Sequence, residues 1–243
     1  MKNFYSVAFL FLAVLFMFPA HVSAQQGCPF VNAGPDKTIP CNTQCTSLTA
    51  TYFETGNTNT YAVSQIPYAP LSYTAGTSIL VSTDDIWSDV ITLPFTFCFF
   101  GQAYTQLVVG ANGLISFDLS YANQYCEWNT ESAGTFPSTS MYTNCIMGPY
   151  QDIDPSLGGT IKYQIIGTAP CRMFVISYNN IPMYDSDNPF SDCSGDKGTS
   201  QIVLYETTNV VEIYIAQKTA CPGGFLSSDW NSGLGSEGIQ NAA

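Results

Sequence analysis

The sequence predicts an all-β fold, a disulfide-stabilised β-sandwich of mostly antiparallel strands, on three observations. Short runs rich in Val, Ile, Thr, Tyr and Phe recur between clusters of Gly, Pro, Asn and Asp, as strands punctuated by turns do. Beyond the leader, no stretch of a dozen residues keeps apolar positions at helical spacing, and Gly or Pro interrupts nearly every window. All nine cysteines, at 28, 41, 45, 98, 126, 145, 171, 193 and 221, also follow the leader, as in exported chains whose thiols oxidise.

The elements follow in order. Residues 1–24 read as a secretory signal peptide: Lys2 precedes the apolar run Val7-Ala-Phe-Leu-Phe-Leu-Ala-Val-Leu-Phe-Met-Phe18, and Val22-Ser-Ala24 supplies small residues at the cleavage spacing. That run is short for a membrane span, and no later stretch approaches the roughly 20 apolar residues that a spanning helix needs. A cysteine-containing lead over 25–46 opens the mature chain and starts the first strand. One domain over 47–243 then carries strands at 47–53, 60–66, 90–99, 106–111, 114–118, 159–166, 172–181, 200–205 and 210–215. Helix is limited to a short turn near 121–126. The last two strands are joined by Thr-Thr-Asn, which suits a hairpin. In the final one, Val211, Ile213 and Ile215 share one face and Glu212 and Tyr214 the other, as in a half-buried strand.

Charge and residue types exclude many functions. Acidic residues outnumber basic ones 18 to 6, so nucleic acid is an unsuitable partner, since phosphate binding needs clustered Lys and Arg. The single histidine, His21, lies in the leader, which removes Ser-His-Asp and Cys-His catalysis and histidine-ligated zinc from the mature chain. No phosphate-binding glycine loop and no nucleophile elbow is present. The chain therefore reads as a non-enzyme.

Carboxylates are the remaining chemistry. Asp152 and Asp154 stand two apart ahead of the Pro155-Ser-Leu-Gly-Gly159 turn, a pattern that suits calcium, which gathers six to eight oxygen ligands. The competing reading is that both cap turn amides. Asp185, Asp187, Asn188, Asp192 and Asp196 form a second oxygen-rich loop, which reads as a solvated acidic loop held by a disulfide. Candidate disulfides are Cys126 with Cys145, Cys171 with Cys193, and Cys41 or Cys45 with Cys98. The odd cysteine is left free, cross-linked to another chain, or without its partner here. Zinc at Cys41-x3-Cys45 is the weaker competitor, because no second close pair accompanies it. Among the tryptophans, Trp87, Trp128 and Trp230 could stack on sugar faces, with core packing as the alternative, and Trp87 and Trp128 are the glycan-binding candidates.

Three linked segments carry a family resemblance: Leu93-Pro-Phe-Thr-Phe-Cys-Phe-Phe-Gly101, Leu107-Val-Val-Gly-Ala-Asn-Gly-Leu-Ile-Ser-Phe117 and Gly148-Pro-Tyr-Gln-Asp-Ile-Asp-Pro-Ser-Leu-Gly-Gly-Thr-Ile-Lys-Tyr-Gln164. In that order they resemble the nidogen-type extracellular domain. Asn112-Gly113 matches that family's hairpin, read here as a type I′ turn. Asp152 and Asp154 match its Asp-x-Asp, although Tyr150-Gln151 departs from the usual Trp and small residue, and Gly159-Thr-Ile-Lys-Tyr163 and Gln201-Ile-Val-Leu204 match later strands. The lead segment Asn32-Ala-Gly-Pro-Asp-Lys-Thr-Ile39 resembles the opening strand of polycystic-kidney-disease-type Ig modules. With the closing Gly233-Leu-Gly-Ser-Glu-Gly-Ile-Gln-Asn241, it also resembles the N-terminal region of gliding-motility-associated bacterial surface proteins, which implies export by the type IX secretion system. On that resemblance the chain reads as a fragment whose last strand is cut short at Ala243.

The resemblance implies a secreted or cell-surface protein acting in adhesion, filament or matrix assembly. Its partners are other surface or matrix proteins, or further copies of itself. The alternative is a carbohydrate-binding module. No cofactor is expected beyond the calcium candidate.

Overall fold

The computed structural model describes residues 31–42, 45–52, 58–79, 81, 83–129, 136–138, 141–184, 195–219 and 235–241. The leader, Cys28, Cys193, Cys221, Trp230 and the acidic residues of 185–192 lie outside them.

Two five-stranded antiparallel sheets face each other. Chain order begins with β1 (Val31–Asn32), β2 (Thr51–Tyr52) and β3 (Thr77–Ser78). The hairpin strands β4 (Ile91–Phe99), β5 (Gln102–Val109) and β6 (Leu114–Ser116) follow, then β7 (Cys145–Tyr150). The chain continues through β8 (Thr160–Ile166), β9 (Met173–Pro182), β10 (Lys197–Tyr205), β11 (Val211–Gln217) and β12 (Ser236–Gln240). One sheet has the order β11-β10-β9-β8-β3 and the other β12-β7-β6-β5-β4. Among the described residues, helix is confined to a 3₁₀ turn over Leu119–Tyr121 capped by Asp118, whose carboxylate accepts from Ser120 N at 3.0 Å.

Alternating residues of both sheets meet in one core that includes Phe97, Phe99, Leu107, Ile146, Phe174 and Ile202. Burial of such side chains is the main term favouring the fold. One polar pin crosses it: the Tyr178 hydroxyl of β9 donates toward the carbonyls of Gly110 and Leu114 in the opposite layer, at 2.9 and 3.0 Å.

Several expectations are corrected. The lead does not open the sandwich. Among the described residues its β1 pairs only with β2, Val31 opposite Tyr52, in a separate two-stranded ribbon. Residues 60–66 form no strand. They begin a strap that runs over the outer face of the β8–β11 sheet, where Ile66 and Leu71 cover Val175, Val203, Tyr205 and Tyr214. Gln201 fastens it, accepting from Leu71 N at 2.9 Å and donating from Nε2 to Leu71 O at 3.2 Å. Because of this covering, the Glu212 and Tyr214 face of β11 is the buried one, and the Glu212 carboxylate accepts from the hydroxyls of Tyr205 and Tyr214 at 2.6 and 2.8 Å.

The turn chemistry is also exchanged. Phe100 and Gly101, with φ of 44° and 76°, form the two-residue turn between β4 and β5, the geometry of type I′. At Asn112-Gly113 only Gly113 has positive φ, 84°, and the bond from Gly110 N to Leu114 O at 2.9 Å closes a loop of three residues, Ala111, Asn112 and Gly113.

The candidate disulfides fare differently. Cys41, Cys45, Cys98, Cys126 and Cys145 are free thiols. Cys126 is sandwiched under Gly110, while Cys145 donates to the Tyr142 carbonyl at 3.2 Å, so the two sulfurs serve different contacts and the 126–145 pair is not made. Neither Cys41 nor Cys45 joins Cys98, and both are exposed. Cys171 is disulfide-bonded, but its predicted partner Cys193 lies outside the described residues.

Candidate functional site

The outer face of the β12–β4 sheet is covered by the excursion between β6 and β7, and the candidate site forms at its margin. Trp87, 1 % exposed, is buried there among Val108, Leu114, Met147 and Tyr150. Its ring lies 5.4 Å from Tyr121 and 4.8 Å from Tyr142. Trp87 therefore serves packing and presents no face to a sugar. Trp128 is half-buried.

Asn112 organises the site. It is fully buried, and its Nδ2 donates to Asp85 Oδ1 at 2.8 Å and to the Cys126 carbonyl at 3.0 Å. Its Oδ1 accepts from Ile153 N at 3.3 Å, and its own carbonyl accepts from Gln151 N at 3.0 Å. One amide side chain thus ties together the turn at 83–85, the strand-like pair at 125–126 and the segment 151–154 that follows β7. The Gly113 beside it is obligatory: a Cβ there would stand 2.0 Å from the Pro149 carbonyl.

Around this hub the structure gathers Asp84, Asp85, Glu127, Asp152 and Asp154. Asp85, at φ 54°, has both carboxylate oxygens engaged, by Asn112 and by the Tyr125 hydroxyl at 3.3 Å. Glu127 Oε1 accepts from Trp128 N and Asn129 N at 3.2 and 3.0 Å. The predicted pair divides. Asp154 caps the following turn, accepting from Ser156 N at 2.7 Å, which is the competing reading for that residue. Asp152 does not: it is 2 % exposed, and neither carboxylate oxygen has a hydrogen-bond partner. Asp84 Oδ1 is likewise buried and unpartnered.

The electrostatics follow from that burial. Desolvation first, then the charges of Asp85, Asp84, Asp154 and Glu127, pushes the Asp152 carboxyl up to about 9. Asp84 rises to about 7, again chiefly by desolvation and then by Asp85 and Asp154. Asp85 is raised less, because its bonds from Asn112 and Tyr125 oppose its burial. Every charge acting on Asp152 is acidic. Among the described residues, no three Asp, Glu, His or Cys side chains stand close enough together to enclose a metal ion as they are.

Three of these residues, Asp84, Asp85 and Glu127, are not singled out by the sequence, and the first two matter most here. Their signal was an adjacent Asp pair in a turn before Trp87, which looks like any solvated turn until the fold brings it to Asp152.

Against this geometry, residues 59–240 match the family model described as NIDO related. The chain belongs to the NIDO related family. That match spans both sheets of the sandwich, from the strap to β12, and the site at Asn112 lies inside it. No curated protein and no solved structure matches the chain. NIDO-type domains are typically extracellular, and no described helix of this NIDO related domain is long and apolar enough to cross a membrane.

Proposed function

We propose that this chain is a non-enzymatic extracellular module, secreted or held at the cell surface, that works in adhesion, filament or matrix assembly. The observation that carries this reading is the match of residues 59–240 to a NIDO related domain laid out as a two-sheet sandwich. The frame supports it physically. Both sheets have a buried outer face as well as a shared core, so the framework is rigid and recognition falls to loops and strand ends. The acidic surface suits partners that are neutral or basic.

Export by the type IX secretion system, as in gliding-motility-associated surface proteins, belongs to the same proposal and is supported by the resemblance of the lead and the closing segment. Stabilisation by disulfides belongs to it too, with Cys171 as the supporting case. Reductant is expected to lower the melting temperature.

Protease shaving of intact cells tests the placement. The expected result is loss of the protein without lysis, and retention inside the cell overturns the reading. Light scattering of the purified chain, with and without partner-free surface extract, tests assembly. A glycan array separates the rival class: silence is expected, whereas specific binding lost in Trp128→Ala replaces the assembly reading with carbohydrate recognition. Turnover of any polysaccharide that Asp152→Asn abolishes without unfolding would overturn the non-enzymatic assignment.

A further inference from the structure

We propose that the carboxylates of Asp152 and Asp84 together hold a divalent cation of the calcium type, which draws the turn at 83–85 onto the segment 151–154. The argument begins with an unmet requirement. Both oxygens of Asp152 are buried without a hydrogen-bond partner, and so is Asp84 Oδ1, although buried polar atoms are ordinarily paired. The neighbouring acids, while ionised, accept and do not donate. Nor does a single proton resolve it fully: shared between the two carboxylates, it would engage two of the three oxygens and leave one unpaired.

The other acidic groups already have work. Asp85 is held by Asn112 and Tyr125, and Asp154 caps Ser156. Among the described carboxylates, three oxygens are buried without a partner, and they belong to two side chains, one on a partly exposed turn and one on a segment fixed by Asn112. A cation satisfies their lone pairs and their mutual repulsion at once. Calcium fits better than magnesium, because it accepts irregular all-oxygen shells completed by water and backbone carbonyls, whereas magnesium demands a near-ideal octahedron. The carboxylates do not yet enclose an ion, so binding must move the turn that carries Asp84.

Calorimetric titration of the chelator-treated full chain with calcium chloride tests this. One ion per chain is expected, with Kd about 0.1–1 mM, the range of extracellular modules. The melting temperature should rise by roughly 5 °C at saturating calcium over that in chelator. Asp152→Asn should abolish both effects, and Asp84→Asn should weaken binding at least about tenfold by removing one charged ligand. Asp118→Asn, a remote 3₁₀ cap, should leave binding unchanged. No heat and equal melting temperatures for the wild-type chain overturn the proposal, as does undiminished binding by Asp152→Asn. Should Asp152→Asn fail to fold, the wild-type titration and the partly exposed Asp84→Asn decide the matter.

Discussion

Asp154 and Asp152 show how two identical side chains, two residues apart, come to opposite states. Asp154 accepts a turn amide at 2.7 Å. Replacing it by Ala removes that acceptor, and Asp154→Ala is expected to destabilise the domain by about 0.5–1.5 kcal/mol, read by chemical denaturation. Asn112 is the larger case, because its amide serves three separate segments at once. Asn112→Ala is therefore expected to raise hydrogen exchange together at 85–88, 125–127 and 151–154, while amides of β9 and β10 keep their protection. Acceleration at only one of the three segments would show that the amide is not a shared anchor.

Turns and strand pairs set the element scale. Gly113 occupies positive φ and stands against the Pro149 carbonyl, so Gly113→Ala meets both backbone strain and a steric clash. A loss of at least about 1–3 kcal/mol is expected in denaturant melts. Opposite this hairpin, the turn after β8 is tied to the turn after β10. Arg172 donates from Nε to Glu206 Oε2 at 2.8 Å and forms an ion pair with Oε1 at 2.6 Å, its backbone N–H also donates to Oε2 at 2.9 Å, and the Glu206 N–H donates to the Arg172 carbonyl at 2.8 Å. The Arg172 hydrogen bond holds the Glu206 carboxyl below its ordinary value of 4.5. A depressed carboxylate binds fewer protons in the folded state, so its contribution is fully present above about pH 4.5 and is lost as pH falls through the lower folded value. Melting curves of wild type and Glu206→Gln should converge as pH drops below that point and differ above it. Equal curves at pH 7 would show that the pair contributes nothing.

The legible elements are those whose pattern survives in the sequence: β4, β5, β6 and β8 to β11 carry β-branched and aromatic residues between clear turn signals. β7 was missed because all six of its residues are buried, which erases alternation, and because Gly148-Pro149 looks like a break. β12 is short and contains Gly238. Residues 60–66 have strand composition but begin a strap that meets β10 through Leu71 and Gln201 rather than through a ladder. For the site, Asp152 was legible from its local motif. Asp84 and Asp85 were not, because only the fold, through Asn112, brings a distant turn beside it.

At the scale of the molecule, the decisive feature is layering. A strap covers one sheet and an excursion the other, so strands that would have presented a wet face are buried on both sides. At the β4 edge, Cys98 has its N–H accepted by Asn209 and its carbonyl satisfied by Thr58, at 2.8 and 2.7 Å, and a neighbouring strand would have to displace both. The Tyr178 pin has a mechanical meaning for a module anchored in a surface or filament. Sheets joined only by apolar contact can slide under load, since that contact has no preferred register, whereas a hydroxyl held at 2.9 and 3.0 Å to two fixed carbonyls resists shear until it breaks. Tyr178→Phe should lower the melting temperature modestly, by an amount matching about 1–2 kcal/mol. In single-molecule pulling it should yield at visibly lower tension, as a joint does when its rivet is drawn.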